Sequence, residues 1–463
     1  MTESAQKVSL QEFIDEGRVT ARHRWLVVIM LIVMTAEGLD QSIVSHVFPK
    51  LIQEWGASIG SITTIVMVTI LGAAIGAVVG GPLCDRLGRK PVIVIGMLLA
   101  SFGTGGLGFT QNVAAFTTVR AIAAIGLGFL LVSVVAIIAD IMPAGRRSQM
   151  MTLAFTGVTV GGIIGSLLAV GVLPRTGWQP MIAWAGFLPL VVLPLVIALL
   201  PESPNVLAVR GKSAAVIRRA LDVVAAGRDT SHVDLSPIPK EDKPKLSIVF
   251  TRTFLSRTLL LWLAFFIGYG AITIVLQFLP TLLQATEPGP GFSTQQSGLT
   301  MLALSIGGLT GGVVGSLILK HVDRFRTVAV AYFATAIMAV VVALVPASLL
   351  SYAVVFFILG VFLTAGNTAL AALAALTYPA EVRGTGLGGA SGIGGRGGSF
   401  VGGGIGGALI GASLGITGVY LVLAAPVVIC ALAIIALGVI TRRKEGVSAS
   451  DQPAVTETPI KIV

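Results

Sequence analysis

The chain has 463 residues, of which 55% are hydrophobic and 11% charged, with a mean hydropathy of +0.94. Soluble domains carry about 25% charged residues, so the composition excludes a soluble globular protein and points to a bilayer. A net charge of +10 would suit a nucleic-acid binder, but the basic residues are distributed along the chain in a way that argues against one.

The first 24 residues are polar and hold no apolar core or small-residue cleavage site, so no removable signal peptide is expected. Beyond them, runs of about 20 apolar residues, each long enough to cross a bilayer, recur twelve times. They lie near 25–48, 59–83, 91–110, 113–139, 149–173, 178–200, 258–284, 296–319, 327–346, 350–376, 385–412 and 417–440. A polar stretch separates the sixth from the seventh. The expected organisation is an N-terminal segment 1–24, a six-span unit 25–200, a central loop 201–257, a second six-span unit 258–440 and a tail 441–463. The two cysteines, Cys84 and Cys430, fall in different halves, and no disulfide is expected.

Lys and Arg set the orientation. If the N-terminus lies inside, 27 of the 31 basic residues fall in inner segments, and only Lys50 and Arg175 fall in outer loops. Both termini are therefore expected in the cytoplasm of a cell-membrane protein. The positive charge is a topology signal that also favours anionic lipid, and no nucleic-acid partner is expected.

The other two basic residues, Arg120 and Arg396, fall within spans, and so do Glu37 and Asp40 of the first span. Glu37 and Asp40 are three apart and share a helix face. A carboxylate at that depth costs several kcal/mol unless it is paired, hydrated or protonated, so intramembrane acids mark functional sites. Arg120 must also be paired, with Glu37, Asp40 or a substrate carboxylate as partner. Arg396, near mid-depth in the eleventh span, suits bidentate recognition of a substrate carboxylate. The structural alternative is an ion pair that only fixes helix packing.

The halves repeat weakly. An Asp-Arg pair followed by more positive charge closes the second span (Asp85, Arg86, Arg89, Lys90) and the eighth (Asp323, Arg324, Arg326). Repeated halves with a site between them are a transporter architecture. The stretch Gly81 to Lys90 matches G-x-x-x-D-R-x-G-R-K, and Arg120 with Gly126 and Gly128 gives a second motif. With these, the chain resembles the major facilitator superfamily. The acid-Gly-x-Asp at Glu37, Phe278-Leu279-Pro280 in the seventh span and Tyr378-Pro379-Ala380-Glu381-Val382-Arg383-Gly384 before the eleventh resemble its aromatic acid:proton symporters. The resemblance implies an all-α, twelve-helix major facilitator fold, with two six-helix halves related by a pseudo-twofold axis. It also implies proton-coupled uptake of a small aromatic carboxylate such as a hydroxybenzoate.

On that reading Glu37, Asp40 and Arg120 couple protons, and Arg396, Asp40, Gln277 and Phe278 bind substrate. Asp85, Arg86, Arg89 and Lys90 form an inner gate latch with Asp140, Arg147, Glu381 and Arg383. Asp323 and Arg324 repeat the latch in the other half. Gly157, Gly161, Gly162 and Gly165 resemble an antiporter motif that lacks its proline, and close helix packing explains them more simply. An extra glycine in Gly394-Gly395-Arg396 changes the spacing from Arg383 by one residue. On a regular helix that is a turn of about 100°, which leaves the direction of Arg396 open.

No Walker loop, metal cluster or catalytic triad is present in the sequence, so neither enzyme activity nor a metal or cofactor is expected, and transport would run on a gradient. The expected partners are a small organic anion, protons and the bilayer, and the expected state is a monomer. A porter for sugar or another organic anion, a drug:proton antiporter and a non-transporting sensor stay open as alternatives.

Overall fold

The computed structural model describes residues 8–450 apart from 226, 237–245, 253, 319–321 and 379; side chains at 246, 375, 376, 380, 381, 383 and 443–450 also lie outside the description. Among the described residues, eleven helices are long and apolar enough to cross a membrane. Six belong to the first half: α2 (Ala21–Trp55), α3 (Ile59–Leu87), α4 (Arg89–Gly106), α5 (Val113–Ile141), α6 (Ala144–Gly171) and, after the short α7 (Leu173–Thr176), α8 (Trp178–Leu199). The second half has α11 (Leu255–Gln284), α12 (Thr294–Ile318), α13 (Arg324–Leu344), α14 (Leu349–Thr377) and α17 (Gly415–Ser450). The remaining crossing, the eleventh in chain order, is made in pieces: α15 (Ala380–Gly389), a π turn (Ala390–Gly395) and α16 (Arg396–Gly411). Together these make the twelve crossings expected from the apolar runs. An even number of crossings leaves both chain ends on one face, hereafter the terminal face.

Several helices run beyond the apolar stretches that signal them. Backbone bonding continues into the polar interface until a cap satisfies the free N–H groups. At the start of α2, Thr20 accepts from His23 N while the His23 ring meets the Thr20 N–H, a reciprocal box. At its end, Gly56 takes φ 62°, a left-handed conformation that a side chain would strain.

Packing within each half is intimate where glycines face a neighbour. A Cβ on Gly157 would lie 2.1 Å from Leu31 O, and one on Gly161 2.2 Å from Thr35 O, so α6 rests directly on the backbone of α2. Between halves, α6 meets α12, α3 meets α16 and α2 meets α11. The close approaches lie at mid-depth and toward the far face: Gly308 to Thr159, Gly298 to Val170, Gly403 to Val66 and Gly407 to Thr63. One apolar cluster there joins Leu39, Ile43 and Val47 of α2 to Ile274 and Phe278 of α11.

The segments expected to be polar connections build a small cap instead. Val8–Ser9 pairs in parallel with Val233–Asp234. Helix α1 (Leu10–Asp15) buries Leu10, Phe13 and Ile14 with Leu207 of α9 (Pro204–Val209) and Ile217, Leu221 and Val224 of α10 (Ala214–Ala225). The guanidinium of Arg228 lies 3.9 Å over the Phe13 ring and donates to Phe13 O at 2.7 Å. Arg147 pairs with Asp15, and Asn205 donates to Gln11. Sequence reading missed this cap because its apolar residues are few and split between two distant segments. The period of α10, apolar at positions 217, 220, 221 and 224, is the signal that would have found it.

Candidate functional site

Asp40 and Arg120 form a buried pair. The Arg120 Nη1 and Nη2 atoms donate to Asp40 Oδ1 and Oδ2, both at 2.7 Å, with Arg120 1% and Asp40 4% exposed. This fork-to-fork geometry is the strongest form of the interaction and matches two planar groups. Thr104 of α4 donates to Asp40 Oδ1, and Arg120 Nε donates to Thr69 of α3 at 3.1 Å. Four helices of one half thus meet at one ion pair. Neither threonine stands out in the sequence; only the positions of the two charges pointed to this place.

Glu37 is treated differently. Its Oε1 accepts only from Gln41, at 3.5 Å, and its buried Oε2 has no partner. One turn of α2 therefore holds a carboxylate saturated by a cation and another, half-buried, with almost nothing bound to it.

Arg396 opens α16 directly after the π turn. A π turn takes one residue more than the α turn it replaces, so it absorbs the extra glycine without the 100° swing that a regular helix would impose. Arg396 is half-buried, its charge bears on Glu37 and Tyr269, and among the described residues no carboxylate lies within ion-pair distance of it. Tyr269 stacks on Phe265 with centroids 5.8 Å apart, and its ring would lie 3.5 Å from a Cβ on Gly395. Phe278 does not line accessible surface in this conformation: it is 1% exposed and packs against Gly406, because α16 has no side chain there to hold it off. Gln277, beside it, is half-buried.

Among the described residues, several terminal-face charges are brought together within one half. Arg89 reaches Asp85 at 3.1 Å and Asp140 at 2.9 Å, and its Nη1 donates to Cys84 O. Glu202, the acid of the Pro201-Glu202-Ser203-Pro204 stretch, accepts from the backbone of Arg89 and Ser203 at 2.8 and 2.9 Å. It thereby caps the N-terminus of α4, where a carboxylate meets the positive end of the helix dipole. Arg147, expected in the latch, is held by Asp15 of the cap instead. Asp323 caps α13 and pairs with Arg442 of α17, while Arg324 is exposed. Arg86 is exposed and Lys90 half-buried. The side chains of Glu381 and Arg383 lie outside the described residues.

A twelve-helix membrane protein with a buried charge pair in one half, and a cation with no acid partner among the described residues across from a poorly bonded acid, has the build of a transporter rather than an enzyme. The chain belongs to the Major Facilitator Superfamily, whose family model matches residues 30–402. It is 32% identical over 438 residues to a gallate transporter of Pseudomonas putida, covering 93% of this chain and 95% of that one. It is 29% identical over 406 residues to the 4-hydroxybenzoate transporter PcaK of Acinetobacter baylyi, covering 84% and 86%. Among solved structures, a D-xylose-proton symporter superposes with a TM-score of 0.68 at 18% identity, covering 88% of this chain and 96% of that one, and so shares its fold.

Proposed function

We propose that the protein takes up a small aromatic carboxylate, of the hydroxybenzoate type, together with one or more protons. It would work as a monomer in the cell membrane with both termini in the cytoplasm. The similarity to transporters named for gallate and 4-hydroxybenzoate supports the substrate class. The excess of Lys and Arg on the terminal face supports the orientation.

One observation carries the coupling mechanism: Asp40 is fully engaged by Arg120 and Thr104, whereas Glu37 has a buried oxygen without a partner. Removing a proton from Glu37 leaves a charge that its own helix does not solvate. Glu37 is thus the group that loads and releases the proton, and Asp40–Arg120 is the fixed pair that holds four helices in place. The substrate carboxylate takes the guanidinium fork of Arg396, which has no acid partner among the described residues. A bound anion at Arg396 removes the cation that would otherwise stabilise an ionised Glu37, so anion and proton arrive together. The halves grip each other toward the far face, which corresponds to a state open to the cytoplasm.

The test is uptake of labelled 4-hydroxybenzoate into proteoliposomes with and without an inward proton gradient. Accumulation that follows the gradient supports the reading. Accumulation indifferent to the gradient removes the proton role, and no uptake of any hydroxybenzoate removes the substrate class.

A further inference from the structure

On the far-face side of the π turn, the eleventh crossing is clamped by backbone contact. A Cβ on Gly398 would lie 2.0 Å from Phe266 O, one on Gly402 2.6 Å from Gly270 O, and one on Gly407 1.8 Å from Thr63 Oγ1 of the opposite half. Helix α16 is therefore fixed to both α11 and α3 and has no room to slide. On the terminal-face side the same crossing rests on its own half, where a Cβ on Gly386 would lie 2.5 Å from the Tyr378 ring. Gly384, Gly388 and Gly392 would each point a Cβ into space with nothing within 4 Å, and α15 packs on α14 of its own half. The π turn, Ala390–Gly395, lies between the arm clamped to both halves and the arm packed on its own half. Its only large side chain, Ile393, is 55% exposed, while Gly394 and Gly395 lie buried against Trp262, Phe265 and Tyr269 of α11. A π turn has one residue more than its α equivalent, and such turns gather at functional sites.

We propose that this π turn is the hinge of alternation: closing the terminal face moves α15 against a fixed α16, and the extra residue of the turn is taken up and released as it does so. The hinge is placed one residue before Arg396, so the movement is felt at the anion-binding guanidinium. The inference rests on the transport reading above but not on the identity of the substrate.

Two variants of the full-length protein separate hinge from filler. Deleting Gly392 converts the π turn to an α turn and leaves both arms on their faces. Gly392→Ala keeps the residue count and puts a methyl into open space. Expected for the deletion are a melting temperature and a 4-hydroxybenzoate Kd, within about twofold, like those of the parent, with a turnover at least tenfold lower; Gly392→Ala keeps at least half the parent turnover. In parallel, spin labels on Gly81 and Gly388, at the terminal ends of the two halves, report the conformations directly. Two distance populations in the parent and one in the deletion support the hinge even if no hydroxybenzoate binds, an outcome that would count against the substrate assignment alone. Turnover at the parent rate in the deletion, equal losses in both variants, or unchanged distance populations would overturn it. A deletion that does not fold is replaced by deletion of Ser391, judged by the same distances.

Discussion

Asp40 and Arg120 meet through two parallel hydrogen bonds of 2.7 Å, both side chains almost fully buried, while Glu37, one turn away on the same helix, keeps a bare buried oxygen. Identical chemistry in the sequence has become two different devices in the fold. The contrast is measurable in stability. Asp40→Asn strands a buried guanidinium, a loss of about 3–5 kcal/mol, whereas Glu37→Gln removes no strong bond and costs less than about 1 kcal/mol. Thermal unfolding in detergent checks this, and equal losses would remove the assigned division of labour.

Transport separates the same pair in another way. Glu37→Gln is expected to abolish accumulation driven by a proton gradient while leaving counterflow exchange of 4-hydroxybenzoate, because a neutral side chain mimics the loaded acid. Asp40→Asn is expected to lose both. Gradient-driven accumulation by Glu37→Gln at the parent level would end the proton assignment.

Arg396→Lys keeps the charge but not the planar fork, and a weakening of substrate binding by about tenfold is expected, that is roughly 1.4 kcal/mol. Tyr269→Phe, next to it, should alter the preference between hydroxylated and unsubstituted benzoates more than it alters the binding of benzoate itself. Equilibrium binding by scintillation proximity reads both, and an unchanged Kd for the lysine variant would clear Arg396 of direct recognition.

Glu202 closes the first turn of α4 by accepting from Arg89 N. Glu202→Gln weakens a charged cap by about 1 kcal/mol. The amide protons of Arg89 and Val92 should exchange faster, with those of Met97 unaffected; unchanged exchange at Arg89 would argue that the carboxylate is idle.

The docked cap predicts a local effect. Phe13→Ala empties the centre of the α1–α9–α10 cluster at about 3 kcal/mol. Faster hydrogen exchange is expected over residues 8–15 and 214–225, with the spanning helices protected as before. A global change instead would mean that the cap supports the bundle.

Most of the architecture could be read in the sequence because a bilayer imposes a coarse rule: twenty apolar residues per crossing, and positive charge on one side. The importance of Glu37, Asp40, Arg120 and Arg396 followed from the cost of burying charge. What could not be read was direction. Sequence spacing allowed Arg120 to meet either acid, and the choice of Asp40 depends on Thr69 and Thr104, which come from helices two and three crossings along the chain. The extra glycine before Arg396 looked like a rotation; the wide turn that absorbs it depends on backbone contacts of α16 that no local pattern encodes. Arg147 seemed a latch residue because its partner, Asp15, belongs to a segment with no apparent structure.

The parallel pairing of Val8–Ser9 with Val233–Asp234 has a consequence for biosynthesis. Val8 and Ser9 find their partner strand only after more than two hundred further residues have been made and six crossings have been delivered to the lipid. Until then Leu10, Phe13 and Ile14 wait uncovered in the aqueous phase, where a chaperone would find them. The seating of this short strand thus marks, in time, the completion of the first half of the molecule.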